Sequence, residues 1–157
     1  MKKQDQQRPA ASIDPRWKIG IVASSFYKEE MDTLTAGAVA ALTDAGIKPG
    51  NITVYPAAGS FEVPLIGAAL AKVKKADALI GLGIIVEGET HHAKLLAEAS
   101  AAGIMDVQME YGIPFAFEIL YVDTLKLAQA RLDKGGEAAY AVLHSLSELK
   151  QIRGRKG

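Results

Sequence analysis

The chain has 157 residues, 49% of them hydrophobic and 23% charged, enough to bury a core as one domain. Its 18 basic and 18 acidic residues cancel, which argues against a nucleic-acid binder, because phosphate-backbone binding draws on a basic surplus. With no cysteine, disulfides and thiolate metal sites are excluded and a reducing cytoplasm fits.

Residues 1–16 form a polar arm with no apolar core, neither a signal peptide nor a membrane span. Alone such an arm is disordered; a neighbouring subunit could order it by accepting it into its sheet. The domain follows over 17–157. Lys18 to Ala23 is a short β-rich run. Met31, Leu34, Ala38, Ala41, Leu42 and Ala45 then recur at helical spacing, with Gly46 where a C-terminal cap belongs. Ile52 to Tyr55 is the second strand, followed by a helix on Ile66, Ala69, Leu70 and Val73 with Pro64 in its first turn. Ala78 to Val86 is apolar without alternation, which suits a central parallel strand covered on both faces. Leu95, Leu96, Ala99 and Ala102 mark the third helix, and Ile113 to Val122 the fourth strand. A short helix capped near Asp123-Thr124 and a last one carrying Ala139, Val142, Leu143, Leu146 and Leu149 close the chain. Strands alternating with helices predict an α/β protein, a three-layer αβα sandwich on a four-stranded parallel sheet.

Ligands of such sheets bind at the carboxyl ends of the strands. Three junctions there carry chemistry: Ser24-Ser25-Phe26, Gly59-Ser60-Phe61-Glu62 and Gly88-Glu89-Thr90. One phenylalanine at such an edge packs under a loop; two beside a glutamate point to a pocket for a flat ring. Gly83-x-x-x-x-Gly88-Glu89-Thr90 has the form of a phosphate loop with its lysine replaced by glutamate. A helix N-terminus binds a small anion through unpaired N–H groups and its dipole, whereas a nucleoside triphosphate needs the lysine and magnesium. The alternative is a plain strand-to-helix turn. His92 shares a helical face with Leu95, Leu96 and Ala99 and is expected to point at the pocket, while His91 points about 100° away. Adjacent helical residues do not face one metal, so the pair is no chelator. His144 falls off the apolar stripe of the last helix and is expected at the surface.

In order and spacing, SSF, GSFEVP, GLGIIVEGETHH, GIPFAF and DTLKLAQAR resemble the 6,7-dimethyl-8-ribityllumazine synthase family, from about Lys18 to Ile152. The resemblance implies a flavodoxin-like fold and the joining of 5-amino-6-ribitylaminouracil to 3,4-dihydroxy-2-butanone 4-phosphate in riboflavin biosynthesis, without metal or cofactor. It implies that Phe26 stacks on the pyrimidine, that Ser60, Phe61 and Glu62 hold the ribityl chain, and that Ile84, Ile85 and Val86 line the ring's edge. Glu89 and Thr90 would present N–H groups to the phosphate, and His92 would move protons. It further implies a homopentamer with sites between subunits, the neighbour supplying Phe117 over the ring and Arg131 to the phosphate. Lys134 would be what remains of a phosphate-side lysine.

The chain departs from the family at Ser25-Phe26-Tyr27, Ala57-Ala58-Gly59, Glu87, Glu118 and the short linker Leu132 to Gly136. That linker leaves pentamer, paired pentamers and a sixty-subunit shell open. Leu127 lies off its helix stripe and could mark a protein contact. A second reading therefore stands beside the enzyme: a pentameric assembly module, natural or an engineered cage component with a second partner. A third, an archaeal-type riboflavin synthase, is opposed by the GSFE and GETHH strings. No membrane or nucleic-acid partner is expected under any of these.

Overall fold

The computed structural model describes residues 12–88 and 91–154. Strands Ile19–Ser24 (β1), Ile52–Ala57 (β2), Ala78–Val86 (β3) and Phe115–Val122 (β4) form one parallel sheet in the order β2-β1-β3-β4. Helices Lys28–Asp44 (α1), Val63–Lys72 (α2), His92–Tyr111 (α3), Leu125–Gln129 (α4) and Lys134–Gly154 (α5) cover it on both sides, giving the expected three layers. β3 pairs on both edges and is buried along all but its last residue, the environment its unbroken apolar run requires. β2 lies at one edge, half exposed, and tolerates Pro56 there.

Alternation along the strands feeds two cores. Ile19, Ile21, Ile80, Leu82, Leu120 and Val122 pack against α1, α4 and α5. Val22, Leu79, Ile85, Phe115 and Ile119 pack against α2 and α3. The face of α5 built on Ala138, Ala139, Val142, Leu143 and Leu146 lies against α1 and the sheet.

Helix boundaries follow local chemistry. Gly46 at φ 112° follows α1, where Ile47 N–H reaches back to the Leu42 carbonyl at 3.0 Å, closing the helix as its glycine predicts. Thr124 caps α4 by accepting from Leu127 N–H at 3.4 Å.

Two helix faces differ from those expected. The buried stripe of α2 is Val63, Gly67, Leu70 and Ala71, while Ala69 and Val73 face solvent. Gly67 faces inward because the Phe115 ring fills the space a Cβ would need. In α3 the inward stripe is Ala93, Ala97, Ser100, Ile104 and Val107; Leu95, Ala99 and Ala102 are exposed and Leu96 is half-buried. Small residues let α3 approach the sheet closely, so the largest apolar side chains do not mark its buried face. β4 starts at Phe115, two residues later than expected, because Ile113 and Pro114 complete the turn after α3.

Residues 1–11 of the expected arm lie outside the described residues. Closer to the domain, Ile13 packs on the α1–α5 core and the Pro15 carbonyl accepts from Lys48 N–H at 3.3 Å. His144 is exposed, as expected.

Candidate active site

β1 and β3 are neighbours in the sheet, and the helices that follow them, α1 and α3, cover opposite faces, which opens a crevice at the carboxyl ends. A cleft of about 830 Å³ occupies this position. Its walls come from the β1–α1 turn (Ser24, Phe26, Tyr27), the β2–α2 turn (Gly59 to Glu62), the end of β3 (Ile84 to Val86 and Gly88) and the first turns of α3 (His92 to Ala99). Two of the three expected junctions meet here, together with Gly88 of the third. Glu89 and Thr90 lie outside the described residues.

The serine-rich turn after β1 is fixed by hydrogen bonds. Ser24 Oγ accepts from Phe26 N–H at 3.3 Å, and Ser25 gives both its N–H (3.0 Å) and Oγ–H (2.7 Å) to the Ala57 carbonyl. Ser25 thus ties the end of β1 to the end of β2 and holds the two aromatic turns together. Phe26 remains 62% exposed and Phe61 58% exposed. Two large apolar rings left in water on one cleft are costly unless a ligand covers them. The Phe26 ring lies beside Gly59, within 3.3 Å of the position a Cβ would take, and the Glu62 carboxylate is equally close.

Ser60 is buried at the cleft floor, and its hydroxyl has no hydrogen-bond partner among the described residues. Its carbonyl accepts from the fully buried Ser100 hydroxyl of α3 at 3.2 Å. Ser100 was not singled out in the sequence, where it reads as one small residue among alanines. Gly83 owes its identity to the same contact: a Cβ there would strike the Ser60 hydroxyl. The first glycine of the phosphate-like string therefore makes room for Ser60. The side chains of Ile84 and Ile85 are spent on the α1–α5 and α2–α3 cores respectively, so the strand offers the cleft chiefly its backbone.

At the phosphate-like loop, Gly88 N–H donates to Glu87 Oε1 at 3.2 Å, and the Tyr121 hydroxyl donates to Glu87 Oε2. The Tyr121 hydrogen bond holds the Glu87 carboxyl below the usual carboxylate range, and the same bond pushes the Tyr121 phenol up to about 12. His91 precedes α3 in a left-handed conformation (φ 54°) and is not part of the cleft wall; His92, the first residue of α3, is.

Phe117, Arg131 and Lys134 do not join this cleft within one chain. Phe117 stands on edge strand β4, 42% exposed. Arg131 is exposed and donates to the Leu127 carbonyl at 3.1 Å. Lys134 opens α5 and pairs with Glu137 at 2.7 Å, which raises its pKa. Beside them Glu118 is pushed up to about 7, first by burial and then by Glu137, against the opposing charge of Lys134. Among the described residues, no His, Asp and Glu side chains gather as a metal site, and no helix is long and apolar enough to cross a membrane.

The fold and cleft define a parallel α/β protein with an aromatic-walled cleft at the carboxyl ends of its strands. A sequence profile of 6,7-dimethyl-8-ribityllumazine synthase matches residues 16–150, and the chain belongs to that family. Proteins named 6,7-dimethyl-8-ribityllumazine synthase are similar along most of its length. That of Arthrobacter sp. (strain FB24) is 38% identical over 141 residues, 85% of each chain. That of Stenotrophomonas maltophilia (strain K279a) is 35% identical over 140 residues, 86% of this chain and 90% of the relative. That of Chromobacterium violaceum is 36% identical over 138 residues, covering 87% and 89%.

Proposed function

We propose that the chain condenses 5-amino-6-ribitylaminouracil with 3,4-dihydroxy-2-butanone 4-phosphate to 6,7-dimethyl-8-ribityllumazine, releasing phosphate and water. The observation that carries this reading is the meeting of Phe26, Ser60, Phe61, Glu62 and His92 in one cleft at the strand ends. The half-exposed phenylalanine rings suit the faces of a pyrimidine. Ser60 and Glu62 suit a polyol: the Ser60 hydroxyl is otherwise unpaired, and the carboxylate accepts from hydroxyls. The backbone edge of Ile84 to Val86 suits the polar rim of the ring.

The chemistry asks mainly for alignment. The substrate amine attacks the ketone, water leaves to give an imine, phosphate is eliminated, and the ribityl-bearing amine closes the ring on the remaining carbonyl with loss of a second water. Holding two substrates in register supplies much of the rate. His92 at the cleft wall transfers protons, a role worth ~10²–10⁴-fold. The N-terminus of α3 offers its dipole to the phosphate, and Glu89 and Thr90 contribute main-chain N–H groups.

The cleft is completed by a neighbour in a pentamer, with Phe117 covering the ring and Arg131, joined by Lys134, meeting the phosphate. The separation of these residues from the cleft within one chain supports this, as does the exposed apolar line Leu95, Ala99, Ala102, Met105 and Met109 along α3. An arginine fork suits a phosphate in such a shared site. The reading places the enzyme in a reducing cytoplasm, in keeping with a chain free of cysteine. The retained cleft favours it over an inactive assembly module.

Turnover of the two substrates by the purified protein tests the activity. Co-expressing His92→Ala with Arg131→Ala subunits tests the shared site, since some interfaces then combine two intact halves and activity returns. Mixed oligomers without recovered activity would refute the trans arrangement.

A further inference from the structure

The inward stripe of α3 runs Ala93, Ala97, Ser100, Ile104 and Val107, and Ser100 is its one polar member. Close approach to the sheet asks only for a small residue there, which alanine supplies at Ala93 and Ala97. A fully buried hydroxyl adds a desolvation cost that alanine avoids, unless the hydroxyl is paired. Serine inside a helix commonly returns its proton to a carbonyl one turn back. Ser100 instead sends it out of the helix, to the Ser60 carbonyl at 3.2 Å and 40 residues away in the chain.

The segment that receives this bond has little support of its own. Ser60–Glu62 is a single 3₁₀ turn after Gly59, with Glu62 N–H on the Gly59 carbonyl at 3.2 Å and Val63 N–H on the Ser60 carbonyl. Since Val63 already satisfies that carbonyl, the Ser100 bond is not needed to pair a buried acceptor; it fixes where the turn sits on α3. Ser60 also carries the unpaired hydroxyl that lies over Gly83 at the cleft floor, and Glu62 lines the cleft two residues on. We infer that Ser100 is a positioning residue for the polyol-bearing substrate: its bond to the Ser60 carbonyl holds the turn so that the Ser60 hydroxyl and the Glu62 carboxylate meet one polyol chain. The inference rests on the proposed function. Ser100 itself is not part of the cleft wall, so it acts only through the turn. A polyol is a flexible chain of hydroxyls, and hydrogen bonds to it weaken steeply once distance or angle drifts.

Ser100→Ala removes the tether and keeps the small residue that packing requires. It should raise KM for 5-amino-6-ribitylaminouracil by about three- to tenfold, the loss expected from a neutral hydrogen bond. The kcat and the KM for the butanone phosphate should stay within about twofold, as for a loss of uniform binding to one substrate. Ser60→Ala should raise the aminouracil KM by a similar factor. If Ser100 acts through Ser60, the double variant should be no worse than about twofold beyond the weaker-binding single variant, because the two changes remove one interaction. Calorimetric binding of two unreactive probes separates positioning from general damage: the 5-nitro analogue of the aminouracil, and its 6-methylamino counterpart without the polyol. Ser100→Ala should weaken the ribityl probe by the same three- to tenfold factor and leave the methylamino probe within about twofold. Equal weakening of both probes, multiplying effects in the double variant, or a Ser100→Ala chain that fails to fold would each overturn the inference and make the bond purely structural. Wild-type turnover is measured first: its absence sinks the proposed function and this inference together, whereas an unchanged aminouracil KM in an active Ser100→Ala variant sinks the role of Ser100 alone.

Discussion

Replacing Glu118 by glutamine should stabilise the protein at alkaline pH and do little in acid. Glu118 points from β4 toward α5, where Glu137 and Asp133 repel it and Lys134, already paired with Glu137, offsets only part of that repulsion. Its carboxyl is pushed up from 4.5 to about 7. An acid whose folded pKa exceeds its unfolded value binds more protons in the native state between those two values, so stability falls as pH rises through the window. The penalty is absent below about 4.5 and complete above about 7. Each pK unit is worth about 1.4 kcal/mol, and solvent screening of a half-buried side chain lowers the sum, leaving ~1–3 kcal/mol. Glutamine keeps the shape and removes the charge. Urea unfolding of both proteins near pH ~4.5 and pH ~8, at one subunit concentration, measures the difference at each end. A gain of equal size at both pH values, or a loss at alkaline pH, would refute the electrostatic account.

His92→Ala should lower kcat by ~10²–10⁴-fold while His91→Ala, outside the cleft wall, changes it by less than about threefold in the same steady-state assay. Gly67→Ala adds a methyl group where the Phe115 ring lies. Overpacking costs ~1–3 kcal/mol and the better helix propensity of alanine returns up to about 1, so a net loss of ~1–2 kcal/mol is expected in chemical denaturation. A stabilised Gly67→Ala variant would mean that the ring yields freely.

The architecture was legible because strand and helix periods alternate cleanly and because β3 carries an unbroken apolar run. Turn chemistry at Gly46 and Thr124 located two helix ends well. The faces of α2 and α3 were not legible from hydrophobicity, since close approach to the sheet selects Gly67, Ala93, Ala97 and Ser100, which carry little apolar signal. Leu95 and Val73, the stronger signals, face outward. The cleft residues Phe26, Ser60, Phe61 and His92 could be found because they sit at strand ends, where the fold gathers them. The link from Ser100 to Ser60, like the bridging of Glu87 between Gly88 and Tyr121, depends on pairs far apart in the chain that no local pattern announces. The left-handed backbone of Tyr27, at φ 58°, is likewise invisible in sequence, because it is a property of the folded chain.

The packing of α5 on α1 has a consequence for synthesis. Translation delivers β1, β2 and β3 with α1, α2 and α3 first, so the cleft-forming elements leave the ribosome before β4 and α5. Until α5 arrives, Leu34, Ala38 and Leu42 of α1 and the sheet residues Ile21, Ile80 and Leu82 lack the cover of Ala138, Ala139, Val142, Leu143 and Leu146. The nascent chain thus displays an apolar groove between its first helix and its half-built sheet, a surface that chaperones bind and that promotes aggregation. Joining the two ends of the chain is a long-range step that carries its own loop-closure cost before any burial compensates for it. Ribosome stalling or premature termination before α5 would therefore release a fragment that holds most of the cleft residues yet cannot shelter its core.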